Sequence, residues 1–241
     1  MDKRFEREAL LIGEDAVAAL SRSTVALFGV GGVGSYAAEA LARGGVGKIV
    51  LVDNDVVSIT NINRQLCALE STVGRPKVEV VAERLRDINP NISVVCRQEF
   101  FLPETCSDFD FSEYDFVIDA IDTVSGKLSI AECSVAAGVP MISCMGTGNK
   151  LDPTAFRVTD ISKTNTCPLA RVMRRELKKR GINHLSVVYS EEVAIKTGAV
   201  SEDTGKPLPA SISFVPPVAG IIAASEAIKS IINREKRNSD E

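Results

Sequence analysis

Val25-Ala26-Leu27-Phe28-Gly29-Val30-Gly31-Gly32-Val33-Gly34-Ser35-Tyr36-Ala37-Ala38-Glu39-Ala40-Leu41-Ala42-Arg43 decides the reading of this chain. Residues 25–29 form a short apolar run suited to a buried strand, and Ser35 to Arg43 is rich in alanine and leucine, which favour helix. A second apolar run, Lys48-Ile49-Val50-Leu51-Val52-Asp53, follows at once. Strand, helix and strand in this order are a βαβ unit. Between the first strand and the helix, Gly29, Gly31 and Gly34 satisfy Gly-x-Gly-x-x-Gly. A turn of this kind, without side chains, lets the backbone approach a phosphate, and the helix N-terminus behind it adds partial positive charge. Asp53 ends the second strand, where a carboxylate can accept hydrogen bonds from ribose hydroxyls. These features call for a nucleotide without saying which, and a nicotinamide or flavin dinucleotide competes with a nucleoside triphosphate.

The alternation continues outward. Pro76 opens an amphipathic stretch with Val78, Val81, Ala82, Leu85 and Ile88 on one face, ending at Asn89-Pro90. Strands are predicted at Ile92–Cys96, Phe116–Ile118, Val139–Ser143 and Leu185–Tyr189, and helices at Ser129–Ala137, Leu169–Arg180 and Val218–Ile232. The expected fold is α/β, a Rossmann-like and mainly parallel sheet flanked by helices. Lys196 to Pro209 reads as a mobile surface loop, and the charged tail Asn233–Glu241 as frayed. One domain is expected over 1–241, with a nucleotide-binding core at about 20–147 and a substrate- and dimer-associated part at about 148–235.

The bulk composition narrows the function. Of 241 residues, 45% are hydrophobic and 25% charged, as in ordinary globular proteins. A net charge of −4 argues against a nucleic-acid binder held by bulk positive charge, so any polyanion must meet a local basic patch. No apolar run approaches the ~20 residues of a membrane span, and Met1-Asp2-Lys3-Arg4 does not resemble a secretory signal, which points to the cytoplasm and away from a membrane. The six cysteines contain no Cys-x-x-Cys pair, so neither a zinc site nor a disulfide framework is expected. The single histidine, His184, weakens any hydrolase triad and reads as a structural residue at a strand start.

Cations beyond the second strand tilt the choice of nucleotide. Arg64, in Thr60-Asn61-Ile62-Asn63-Arg64-Gln65, and Lys77, in Gly74-Arg75-Pro76-Lys77, bring two full charges towards one pocket. That suits a triphosphate losing pyrophosphate better than a dinucleotide. Asp122, in Asp119-Ala120-Ile121-Asp122-Thr123, falls at the carboxyl end of the sheet, where it can hold Mg²⁺ on phosphates.

These segments, with Arg4-Phe5-Glu6-Arg7 and Leu51-Val52-Asp53-Asn54-Asp55, resemble in order the adenylating core of the ubiquitin-activating, MoeB and ThiF superfamily, from residue 4 to about 147. The resemblance implies that Gly32, Asp53, Asn61, Arg64 and Lys77 contact ATP. It also implies that Asp122 binds Mg²⁺ and that Arg7 reaches into the partner subunit of a homodimer as an arginine finger. With neighbouring loop residues the candidate nucleotide set is Gly29, Gly31, Gly32, Gly34, Asp53, Asp55, Asn61, Asn63, Arg64, Lys77, Asp122 and Thr123. Arg7, Arg64, Lys77 and Asp122 are the candidate catalytic residues.

MoeB and ThiF usually carry zinc on two Cys-x-x-Cys pairs, which this sequence lacks. Met145 to Pro153 and Cys167 to Leu177 instead resemble the branch of tRNA threonylcarbamoyladenosine dehydratases. That resemblance implies ATP-dependent cyclisation of the threonylcarbamoyl group in tRNA, the free carboxylate being adenylated and then captured within the same molecule. The alternative is an activator of a small sulfur-carrier or ubiquitin-like protein. Further candidates are a monovalent cation and a sulfur-transfer or cysteine desulfurase partner. Cys144 and Cys167 border the expected pocket, but intramolecular capture requires no cysteine. For tRNA, Arg171, Arg174, Arg175 and Lys178 lie at i, i+3, i+4 and i+7 and would share one helix face.

Overall fold

In the computed structural model, which describes residues 2–200 and 209–240, the first apolar run is strand β1 (Thr24–Phe28). It lies between the parallel strands β2 (Lys48–Val52) and β4 (Phe116–Asp119). Val25, Ala26, Leu27 and Phe28 are all fully buried. A strand covered on both faces reads as a continuous apolar run rather than an alternating one.

Among the described residues one seven-stranded sheet runs in the order β3-β2-β1-β4-β5-β7-β6. Strands β3 (Ser93–Arg97), β5 (Met141–Cys144) and β7 (Ser186–Ser190) extend the parallel part, and β6 (Phe156–Asp160) pairs antiparallel with β7. On one face, Leu27, Ile49 and Leu51 pack with helices α2 (Glu14–Arg22), α3 (Gly34–Arg43), α4 (Lys77–Ile88) and α7 (Val215–Asp240). On the other, Ala26, Phe28, Val50 and Val52 pack with α5 (Val124–Ala137) and α6 (Pro168–Lys179). This is the mainly parallel, helix-flanked α/β fold expected from the sequence. Strand order reverses between β1 and β4, which opens a crevice at the carboxyl ends of these strands.

Several boundaries differ from expectation. Helix α5 begins at Val124 rather than Ser129, directly after the extended residue Thr123. The closing helix spans Val215–Asp240, so residues 233–237 are helical rather than frayed. Pro216 and Pro217 fit its first turn, where no donor is required, and Arg234 anchors its far end through an ion pair to Asp115. Helix α7 is also long and apolar enough by composition to cross a membrane, contrary to the sequence reading, but its small-residue face is buried along α3. Two helices before β1, α1 (Glu6–Ile12) and α2, and the edge strand β6 were not anticipated. The Lys196–Pro209 loop lies mostly outside the described residues.

One cysteine expectation also changes. Cys106 and Cys133 form a disulfide, joining the segment before β4 to α5. The sequence offered no spacing for it because the pair, 27 residues apart, meets only through the fold. His184 is largely exposed just before β7 and contacts Asp160 at 3.2 Å.

Helix α7 crosses the start of α3 at backbone contact distance. A Cβ on Gly220 would stand 2.1 Å from the carbonyl oxygen of Val33, so the two helices meet only because position 220 has no side chain. Gly220→Ala should therefore force α7 outward and lower stability by roughly 1–3 kcal/mol. A urea midpoint equal to that of the unsubstituted protein would contradict this packing.

Candidate active site

The glycine turn is built by exclusion of side chains. Gly29 has φ +88°, and a Cβ there would lie 2.7 Å from the carbonyl oxygen of Ala120 at the end of β4. A Cβ on Gly34 would lie 1.8 Å from the carbonyl oxygen of Gly29. Gly34 thus closes the turn from below and does not line the cavity, whereas Gly29, Gly31 and Gly32 do. Asp53 ties the turn to the second strand: Val30 N donates to Asp53 Oδ2 at 2.7 Å, and Asp55 N donates to Oδ1 at 2.9 Å. Burial raises the Asp53 carboxyl above its usual range, and these two backbone donors oppose that rise.

The turn forms one wall of a cavity of about 840 Å³. Asp53, Asp55, Asn61, Arg64, Lys77, Asp122 and Thr123 line it together, although they come from four separate stretches of chain. Lys77, the first residue of α4, is almost fully buried and donates to Asp55 Oδ2 at 2.7 Å. Arg64 Nη1 donates to the Thr60 carbonyl at 2.9 Å and to Asn63 Oδ1 at 2.8 Å. Asn61 is buried and accepts from Ser58 N. Asn63 lies outside the lining; its Nδ2 donates to the Ser211 carbonyl, linking this loop to the segment before α7. Asp122 is exposed at the end of β4, and its carboxylate has no partner among the described residues. Arg7 is exposed on α1 and lies outside this cavity.

The second part of the cavity is lined by Cys144 to Lys150 after β5 and by Cys167 to Leu169 at the start of α6. Burial pushes the Cys144 thiol up to about 12, so it stays protonated at neutral pH and is a poor nucleophile. Along α6 the four predicted cations separate. Arg174 turns inward and donates to the Thr164 carbonyl at 2.9 Å and to Thr164 Oγ1 at 2.6 Å. Arg175 pairs with Glu176, while Arg171 and Lys178 are exposed and form no ion pair among the described residues.

The ThiF family is matched over residues 5–241. The chain belongs to this family. Among its ThiF-family relatives, the tRNA threonylcarbamoyladenosine dehydratase of Bacillus subtilis (strain 168) is 44% identical, with 95% of this chain and 94% of that protein covered. The crystal structure of the Escherichia coli dehydratase TcdA in complex with ATP superposes with a TM-score of 0.89 at 36% identity, covering 98% of this chain and 96% of that one. The adenylyltransferase and sulfurtransferase MOCS3 of Arabidopsis thaliana is 34% identical, but only over 64% of this chain and 33% of its own length.

One group behind this ThiF-family site escaped the sequence reading. Lys127, on α5 and fully buried, donates to both Asp119 carboxylate oxygens at 3.1 Å and to the Cys144 carbonyl at 2.7 Å. Ser143 Oγ donates to Asp119 Oδ2 at 2.5 Å. The network clamps the ends of β4 and β5, the strands that carry Asp122 and the Cys144–Lys150 wall. A lone lysine directly before the largely apolar Leu128-Ser129-Ile130-Ala131 is the available signal. Lys127→Met leaves Asp119 buried without its counter-charge, which typically costs 3–5 kcal/mol. Thermal or urea unfolding checks this, and a loss below about 1 kcal/mol would show that the pair does not hold the strand ends together.

Proposed function

We propose that this chain is an ATP-dependent tRNA threonylcarbamoyladenosine dehydratase that works by carboxylate adenylation. The observation that carries the reading is the convergence on the glycine-lined cavity of Arg64, Lys77 and an Asp122 without a partner among the described residues. Likeness to the B. subtilis dehydratase and to ATP-bound TcdA over nearly the whole chain supports the same conclusion. Activation of a carrier-protein C-terminus is less supported, since the MOCS3 likeness stops at about two thirds of this chain.

A carboxylate is a poor electrophile because its leaving group would be oxide. Its oxygen attacks the α-phosphorus of ATP, the bond to pyrophosphate breaks, and AMP becomes the leaving group for ring closure within the same nucleoside. No second reactant has to diffuse in, so positioning supplies much of the rate. In this reading the backbone of Gly31 and Gly32 receives phosphate, Asp53 receives the ribose, and Arg64 and Lys77 neutralise charge on the departing pyrophosphate. The donor set fits Mg²⁺, which takes one or two carboxylates and completes its shell with phosphate oxygens and water; Asp122 supplies the carboxylate. When bound, Mg²⁺ supplies charge neutralisation on the phosphates. The nucleotide part spans about 20–147, and about 148–235 serves the substrate and the dimer.

The polyanionic substrate meets α6 through Arg171, Arg175 and Lys178, while Arg174 holds α6 to the Ile161–Thr164 turn. The enzyme works in the cytoplasm as a homodimer, with Arg7 of one subunit completing the site of the other. The reading requires neither a monovalent cation nor a sulfur-transfer partner.

Incubating the protein with tRNA bearing threonylcarbamoyladenosine should reduce the nucleoside mass by one water, only when ATP is present. Asp122→Asn should abolish that conversion while the protein stays folded, because the substitution removes a metal ligand and no packing. ATP-independent conversion, or near-normal activity of Asp122→Asn at saturating Mg²⁺, would contradict the assignment. Mixing Arg7→Ala with Lys77→Ala subunits should rebuild one intact site per heterodimer. Mixed dimers without recovered activity would rule out a shared site.

A further inference from the structure

Lys77, Lys127 and Lys150 are all nearly or fully buried. The first two have carboxylate partners, Asp55 and Asp119. Lys150 is only 6% exposed, yet its single hydrogen-bond partner among the described residues is the backbone carbonyl of Glu192. The Glu192 carboxylate next to it is committed elsewhere, accepting from Leu151 N at 2.9 Å and Asp152 N at 2.9 Å. An ammonium carries three donors, and burying it without a counter-charge is unfavourable. Such a group fits where a bound anion completes it, and Lys150 lines the cavity.

A second feature of the same wall points the same way. Helix α6 begins at Pro168, no side chain caps its N-terminus, and Leu169 in its first turn lines the cavity beside Cys167. Free backbone amides at the start of a 12-residue helix add partial positive charge. The nucleotide phosphates already have the glycine turn, Arg64 and Lys77. This second positive wall therefore faces a different anion.

We infer that Lys150, with the α6 N-terminus lining the same cavity, receives the carboxylate that is to be adenylated and so selects a carboxylate-bearing substrate. This rests on the function proposed above. The ammonium holds one carboxylate oxygen and offsets repulsion from the polyphosphate, leaving the other oxygen to attack. Lys150 is a specificity-determining residue in this scheme, with no proton transfer assigned to it.

The test compares binding of two tRNAs, one bearing threonylcarbamoyladenosine and one bearing plain adenosine at that position, with a non-hydrolysable ATP analogue present. Unsubstituted protein should prefer the modified tRNA. Lys150→Gln keeps a donor for the Glu192 carbonyl but loses the charge, and Lys150→Met loses both. Each should reduce the preference by at least about tenfold, as expected for a lost charged hydrogen bond, with affinity for plain tRNA and for the ATP analogue unchanged. A preference retained in Lys150→Gln would overturn the inference. So would loss of ATP-analogue affinity with the preference intact, which would assign Lys150 to the phosphates. A measurement on the unsubstituted protein needs no variant: methyl-esterifying the threonyl carboxylate should lower tRNA binding to the plain level, and an ester bound as tightly as the acid would also overturn the inference. Failure of the functional reading is distinct, since then the unsubstituted protein would not dehydrate the modified tRNA at all.

Discussion

Everything at this site depends on a backbone contact that leaves no space for side chains. Gly29 turns the chain at the end of β1 with φ +88° against the Ala120 carbonyl, and Gly34 starts α3 over the Gly29 carbonyl. Bulk at either position would separate β1 from the end of β4 or tilt α3 away from the sheet. The amide end of α3 and the Asp119–Thr123 segment would then no longer share a crevice. Asp53 reinforces the contact from the β2 side through Val30 N. The same carboxylate thus braces the turn and lines the cavity, and its raised pKa follows from that buried position.

Among the described residues, three buried lysines are handled in three ways. Lys127 is fully compensated and serves the framework, joining α5 to the ends of β4 and β5. Lys77 is compensated by a half-exposed aspartate, Asp55, so its charge can be shared with a ligand in the cavity. Among the described residues, Lys150 has only a carbonyl. The gradient runs from a sealed ion pair to a charge that waits for a counter-ion. Desolvation makes each arrangement consequential, because an unpaired charge is costly only where water is excluded.

Helix α6 shows how far periodicity can be taken. The i, i+3, i+4, i+7 spacing did place Arg171, Arg175 and Lys178 on the outer surface, opposite buried Ala170, Met173 and Leu177. Arg174 sits at the margin of that face, and the Ile161–Thr164 turn beside it offers a carbonyl and a hydroxyl. Spacing along one helix cannot reveal acceptors presented by another segment.

The βαβ unit, the glycine turn and the parallel sheet were legible in the chain of residues alone, which also named Asp53, Arg64, Lys77 and Asp122 as candidates. These follow from local rules: fully buried strands must be continuously apolar, and a turn against a phosphate must lack side chains. Family likeness in the order of these segments supplied the chemistry that periodicity could not. Which groups meet across long separations emerges from the packed fold. The Asp119, Lys127 and Ser143 network, the Cys106 and Cys133 disulfide, the inward turn of Arg174 and the burial of Lys150 against the Glu192 carbonyl all depend on contacts between distant segments. The physical reason is that burial and pairing are properties of the packed surroundings, and a charge, thiol or hydroxyl looks the same in sequence whether its neighbour in space is water, a carboxylate or another sulfur.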